Sequence, residues 1–237
     1  MRREPLKWFF AAMTEYVLVS GGSGGIGSAL CRCLAADGYH PVIGYRASAA
    51  AAETLAEEIG GTALSIDMMS GDSIHHAIKF LAAGPHDLAG VVLAASPPPA
   101  IAPIFRLPDG EMDTQWKVHV LGPHTLLEGA IRQLMRPRKQ GWIVGILTEA
   151  IGDGGQAAKS MGGYIIAKHG LLGLMKVIDA EYAWLDVKTI SPGYTETEML
   201  NVFDNRFLDP MRDSRPEGRF ASPGEVAEEI MTLIRGK

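Results

Sequence analysis

The sequence predicts an α/β fold: a doubly wound parallel sheet with helices on both faces, in a single domain. Three observations predict it. Short apolar runs alternate with stretches of helical periodicity from Tyr16 nearly to the end of the 237-residue chain, the pattern of parallel strands joined by helical crossovers. Most of the helical stretches close at a glycine or proline, the usual stop signals. Finally, a chain that is 47% hydrophobic and 21% charged can bury one sizeable core at this length without dividing.

The elements follow in order. Residues 1–12, MRREPLKWFFAA, place positive charge before an apolar patch too short for the core of a secretion signal. Met13 directly precedes TEYVLVSGG, so 1–12 is expected to be an extension and 13–237 the domain. The apolar runs YVLVS, HPVIGY, TALSID, AGVVLAAS, GWIVGIL and VKTISPG are expected strands, rich in the branched residues of sheets buried on both faces. Between them IGSALCRCLAADG, SAAAAETLAEEIGG, SIHHAIKFLAAG, EMDTQWKVHVLGPHTLLEGAIRQLM and YIIAKHGLLGLMKVIDAEYAW carry apolar residues near helical spacing. Right-handed crossovers then set the loops after the strand C-termini along one edge, where ligands of such folds bind.

Composition removes several functions. Net charge is −5 with scattered basic residues, which gives no basic face for nucleic acid. No apolar run approaches the length of a membrane span. Cys31 and Cys33 lie two apart in an expected helix, point to different faces, and can neither bridge each other nor make a metal site. No metal is expected, and a reducing cytoplasm is the simplest compartment.

VLVSGGSGGIGSAL leaves a strand and enters a helix with Gly21, Gly25 and Gly27 in G-x-x-x-G-x-G spacing. Glycine permits a tight turn that brings backbone N–H groups to a pyrophosphate at the helix N-terminus, the Rossmann arrangement. At the tip of the second strand stand Tyr45, Arg46 and Ser48 and no carboxylate. A guanidinium and a hydroxyl suit a ribose 2′-phosphate, so NADP(H) is expected in preference to NAD(H).

From Tyr16 to Leu233 the chain resembles the short-chain dehydrogenase/reductase superfamily, and within it the compact beta-ketoacyl carrier-protein reductases. SGGSGGIG resembles the T-G-x-x-x-G-x-G loop with Ser20 for threonine. VVLAAS stands for a strand ending N-N-A-G, keeping Ala95, placing Ser96 at the glycine and losing the asparagines that brace the site. SPGYTETEM resembles P-G-x-x-x-T. The resemblance implies a cofactor site of Ser20, Gly21, Ser23, Gly25, Ile26, Gly27, Tyr45, Arg46, Ser48, Asp67, Met68, Ala95, Tyr164, Lys168, Pro192, Gly193, Thr195 and Thr197. In it Asp67 meets the adenine and Thr197 the nicotinamide carboxamide.

Tyr164 and Lys168 form Y-x-x-x-K at i, i+4, so both emerge on one helix face. Alone, such a pair is more often a surface aromatic and a solvated charge; behind the other motifs it reads as a proton donor and its partner. A neighbouring ammonium favours the phenolate, so the Tyr164 pKa is expected to fall from about 10. The family's serine is replaced by Thr148, which keeps the hydroxyl, adds a methyl, and lies sixteen residues before Tyr164. Ser160 is the rival. The family's asparagine is His119 here, able to donate, accept and carry a proton, or else simply a satisfied core histidine.

The implied reaction is hydride transfer between NADP(H) and a carbonyl, on a small-molecule or acyl-carrier substrate. Pro97, Ile101, Met199, Leu200, Phe203 and Phe207 are the expected apolar lining, with a lid over 199–211. Arg132, Arg136, Arg138 and Lys139 could dock an acidic carrier, although a basic helix end is commonly its own explanation. The resemblance implies a homo-oligomer, a tetramer or dimer built on the two long helices. The alternative is a dinucleotide-binding sensor or assembly subunit without turnover.

Overall fold

Buried branched residues build the sheet. In a computed structural model, which describes residues 15–152 and 155–236, six strands run parallel: β1 (Tyr16–Ser20), β2 (His40–Tyr45), β3 (Thr62–Ser65), β4 (Leu88–Leu93), β5 (Trp142–Ile146) and β6 (Asp186–Ile190). The expected extension 1–12 lies outside the described residues. The strand order 3-2-1-4-5-6 makes the chain wind one way from β1 to β3 and the other way from β4 to β6. The reversal between β1 and β4 opens a crevice at their C-terminal ends.

The pleat divides the core in two. Leu18, Val42, Val91 and Ile143 pack on one face with Ile74 and Ile78 of α3 (Gly71–Ala83) and Leu171 and Met175 of α6 (Gly162–Glu181). Val17, Val19, Ile43, Val92 and Val144 pack on the other with Leu30 and Leu34 of α1 (Gly25–Ala36) and Leu55 of α2 (Ala49–Ile59). Alternate residues of β1 thus serve opposite layers, as the two-residue period of a strand requires.

The long expected helix over 111–135 forms, with two wider turns in it. α4 (Glu111–Trp116) passes through a π-helical segment, Lys117–Leu121, into α5 (Gly122–Gly129) and a second such segment, Ala130–Met135. Each extra residue rotates the side chains that follow, and His119 lies within the first.

Two helices go beyond the sequence-based expectation. The expected lid folds as a 3-10 turn, Glu198–Val202, and α7 (Asn205–Asp213). α8 (Pro223–Arg235) starts at a capping box between Ser222 and Glu225 and buries Val226, Ala227, Ile230, Met231 and Ile234 in the layer with α1. Cys31 is buried, Cys33 half-buried, and both are free. Among the described residues no group of side chains could hold a metal ion, and no helix is long and apolar enough to cross a membrane.

Candidate active site

A cleft of about 560 Å³ opens over the C-terminal ends of β1, β4, β5 and β6. Its floor is the glycine loop. Gly21 turns the chain at φ +70°, and a Cβ there would sit 2.7 Å from Ala95 Cα, so both the conformation and the packing demand glycine. Gly25 opens α1 with its Cα facing Thr197, whose Cγ2 would lie 2.5 Å from an added Cβ. No side chain caps α1 and no acidic residue occupies its first turn. Ser28 N bonds back to Gly24 O at 2.7 Å, so the amides of Gly25, Ile26 and Gly27 precede the first bond of the helix, and these three residues line the cleft. Open first-turn amides at a positive helix end fit a pyrophosphate.

The remaining expected cofactor residues divide between the cleft wall and positions beyond it. Pro192, Gly193, Thr195 and Thr197 form its far wall, fixed by hydrogen bonds from Thr195 Oγ1 to Gly193 O (3.0 Å), from Thr197 Oγ1 to Thr195 O (3.3 Å) and from Glu149 N to Pro192 O (2.9 Å). Tyr45, Arg46 and Ser48 lie at the exit of β2. Arg46 is exposed, with Nη1 3.9 Å from Met69 Sδ, and no carboxylate pairs with it among the described residues. Asp67 stands just past β3, its carboxylate accepting from Met69 N at 2.9 Å, beside buried Met68. Ser23 lines a separate shallow depression with Ser28, Arg32 and Glu58.

Ser20 stands behind the loop. Its buried hydroxyl donates to Val92 O (3.2 Å) and accepts from Ala94 N (3.1 Å) and Ala95 N (3.3 Å). That is the bracing of β1 to β4 which the missing asparagines left without a source.

Tyr164 and Lys168 project from one face of α6 into the cleft wall, 7% and 2% exposed. Lys168 Nζ donates to Ile146 O at 2.7 Å and lies 5.5 Å from the Tyr164 ring centroid. The expected depression of the tyrosine pKa is overturned. Burial pushes Tyr164 up to about 12, against smaller lowering by the hydroxyls of Thr148 and Ser96. Burial also brings Lys168 down to about 7, so desolvation is the leading cause at both groups.

Thr148 leaves β5 with an extended backbone and caps the 3-10 turn Glu149–Ile151, its Oγ1 accepting from Ala150 N at 3.2 Å. Accepting that amide leaves its O–H free to donate. Ser160 is exposed in a left-handed backbone conformation (φ 63°) and does not line the cleft. The long loop still returns to Tyr164 because Ala158 N bonds to Ala150 O at 2.9 Å.

His119 is 1% exposed, with its ring edge against Tyr164 at a centroid distance of 5.5 Å. Its Nδ1 is 3.1 Å from Gln115 O and its Nε2 3.0 Å from Ser96 Oγ. Burial first, then Lys168, holds its pKa well below the ordinary value. Sequence reasoning took Ser96 only as a lost glycine. The signal was a hydroxyl residue at the strand exit beside the topological switch.

Other expectations need correction. The apolar lining includes Met199, Leu200 and Phe203 together with Pro98, Pro99 and Met161. Ile101 and Phe207 are 44% and 45% exposed, and neither they nor Pro97 line the cleft. Arg138 is tied to Glu15 (2.9 Å) and Leu88 O (3.0 Å), and Arg132 to Glu128 (2.8 Å), so two of the four basic residues of that stretch are engaged within the chain. Glu149 has a partner from the far side of the cleft: Arg215, just past α7, donates to it through both terminal nitrogens.

Known proteins resemble this chain over nearly its whole length. The family model described as enoyl-(acyl carrier protein) reductase matches residues 21–237. The 3-oxoacyl-[acyl-carrier-protein] reductase FabG of Staphylococcus epidermidis is 26% identical over 240 residues, covering 95% of this chain and 93% of its own. The 3-oxoacyl-[acyl-carrier-protein] reductase MabA of Mycobacterium bovis is 27% identical, covering 93% and 85%. Among solved structures, a variant of actinorhodin polyketide ketoreductase with NADPH shares the fold at TM-score 0.84 and 22% identity, covering 93% and 90%. A family match over residues 21–237 and relatives aligned along nearly the whole chain place it in one family: the chain belongs to the short-chain dehydrogenase/reductase superfamily of nicotinamide-dependent oxidoreductases, where it is similar to the beta-ketoacyl carrier-protein reductases.

Proposed function

We propose that this protein is an NADP(H)-dependent reductase that converts a ketone, on a 3-oxoacyl or polyketide-like chain, to an alcohol. One observation carries the reading. A protonated tyrosine and a free threonine hydroxyl converge in the cleft whose floor is a set of open helix N-terminal amides.

The bound nicotinamide supplies the hydride. Tyr164, whose raised pKa keeps its proton at neutral pH, gives that proton to the carbonyl oxygen as negative charge develops there. Thr148 donates a second hydrogen bond to the same oxygen, which orients the carbonyl and stabilises the growing charge. Lys168, anchored at Ile146 O, turns its remaining N–H groups to the nicotinamide ribose, as the resemblance implies. The amides of Gly25, Ile26 and Gly27 take the pyrophosphate, and Arg46 with Ser48 the 2′-phosphate. Met199, Leu200 and Phe203 present apolar surface to an acyl chain. Trp116, Leu121, Ile166 and Val177, exposed on the long helices, support assembly into a dimer or tetramer.

The experiment is NADPH oxidation over a panel of ketones and 3-oxoacyl thioesters, with Tyr164→Phe as control. Turnover lost in the variant is expected. Tight NADPH binding without Tyr164-dependent turnover on any carbonyl would make the protein a sensor or assembly subunit instead.

A further inference from the structure

The lid is fastened across the cleft at its far end. After Thr197 the chain forms the 3-10 turn Glu198–Val202 and α7, and Met199, Leu200 and Phe203 line the cleft. Arg215, two residues past α7, reaches Glu149 at the exit of β5, 66 residues away in the chain. Its Nη1 donates to Glu149 Oε2 at 3.2 Å and its Nη2 to Oε1. The carboxylate lies on Gly193, where an added Cβ would come within 2.8 Å of Oε2, and Glu149 N donates to Pro192 O at 2.9 Å. Glu149, itself part of the cleft lining, thus joins the exit of β5, the Pro192–Gly193 wall and the end of the lid.

We infer that Arg215 and Glu149 are positioning residues that latch the lid: their pair holds it shut over the cleft, and its opening sets the rate at which a bound dinucleotide leaves. The inference rests on the NADP(H) reading of the same cleft. Among the described residues, the other ion pairs of 196–225 close within that stretch. Arg206 pairs with Asp204, Arg212 with Asp209 and Glu196, and Arg219 with Glu217 and Glu225. Aromatic contacts supply a further hold. Phe203 and Phe207 stack at 5.4 Å, and both meet the Tyr194 ring edge-on, at 5.8 and 6.3 Å. To these the forked guanidinium–carboxylate pair adds a fixed distance and direction.

Electrostatics separates a latch from a charge that merely lines the cleft. A dinucleotide brings negative phosphates. If the Glu149 carboxylate acted only as a charge, removing it would lessen repulsion and slow release, whereas removing the Arg215 guanidinium would speed release. A latch predicts the same sign for both, because either change breaks the same bond. The two side chains are 33% and 38% exposed, so solvent screens the pair and its worth is that of a well-formed surface ion pair, about 2- to 5-fold in a rate.

The test follows NADPH release by stopped-flow fluorescence from the full chain and from Glu149→Gln, Arg215→Met, Arg215→Lys and the double variant of the first two changes. Glu149→Gln and Arg215→Met should each speed release by about 2- to 5-fold. The double variant should be no faster than either, because the bond can be lost only once, and Arg215→Lys should recover part of the parent's slow release. Opposite signs for the two single changes, or effects that add in the double variant, overturn the latch. Amide hydrogen exchange in the free protein reads the same bond without a ligand: exchange over 198–213 should quicken by about 2- to 5-fold in both Glu149→Gln and Arg215→Met. If the parent protein does not bind NADPH, the cofactor reading fails and hydrogen exchange alone decides the latch, which unchanged exchange over 198–213 overturns.

Discussion

One methyl group at Gly25 is expected to displace the loop that closes the cofactor cleft. The added Cβ lies 2.5 Å from Thr197 Cγ2 and 3.0 Å from Thr197 Cβ, where carbon atoms in contact need about 3.5–4.0 Å. Thr197 must therefore retreat by about 1 Å. It sits between the Thr195–Ala221 bridge and the 3-10 turn Glu198–Val202, both of which resist the move. Overpacking of this kind costs about 1–3 kcal/mol, and at about 2–4 °C per kcal/mol for a chain of this size Gly25→Ala should lower Tm by about 2–12 °C. Thr197→Ser removes the nearest atom and keeps the hydroxyl, so the double variant should recover about 1 kcal/mol relative to the sum of the single changes. Thermal unfolding of all four proteins measures the coupling, and NADPH titration by fluorescence should show weakened binding in Gly25→Ala. Additive losses in Tm, or an unchanged Tm for Gly25→Ala, would refute the contact between these segments.

Three further outcomes are expected. Thr148→Ser should retain carbonyl reduction, whereas Thr148→Val should lose at least about 10-fold in kcat/KM, about 1.4 kcal/mol, together with the cap on Ala150 N; equal activity of the two in steady-state assays would dismiss Thr148. Arg46→Asp should raise the KM for NADPH and lower that for NADH, and an unchanged preference would show that the 2′-phosphate lies elsewhere. Lys168 is lowered from 10.5 to about 7 by burial, so between those values the unfolded chain binds more protons and stability rises with pH. Urea unfolding should show the parent protein gaining on Lys168→Met from about pH 7 to about pH 10, and parallel curves would mean that the lysine is solvated.

The sheet was legible because its central strands are buried on both faces and so read as apolar runs; YVLVS and HPVIGY match β1 and β2 to the residue. α8 left a readable signal, Ser222 three residues before Glu225 with Pro223 at the first turn, that strand counting passed over. The π-helical turns were not legible, since hydrophobic periodicity over 111–135 tolerates an inserted residue without changing its average. Ser96 and His119 were hidden for a different reason. They are 23 residues apart and meet only because the π-helical turn after α4 and the exit of β4 flank the same crevice. The tyrosine pKa failed from sequence because charge proximity can be read from i, i+4 spacing, but desolvation depends on everything packed around the pair.

The departures from the family pattern bear on whether this site turns over. A cleft retained only for binding has no reason to keep a hydrogen-bonded partner for each substituted residue, and a buried polar group left alone costs about 1–3 kcal/mol. Ser20 satisfies the amides of Ala94 and Ala95 where the bracing asparagines are missing. Thr148 caps Ala150 N, and His119 engages Gln115 O and Ser96 with its two ring nitrogens. The buried side-chain polar atoms without partners among the described residues are Gln115 Oε1, Arg138 Nε and Tyr194 Oη, and none belongs to these substituted groups. The replacements instead gather around one tyrosine: the hydroxyls of Thr148 and Ser96 lie near enough to lower its pKa, and the His119 ring edge stands 5.5 Å from its ring centroid. Two hydroxyls and an imidazole edge gathered around one buried phenol match the reductase proposed above.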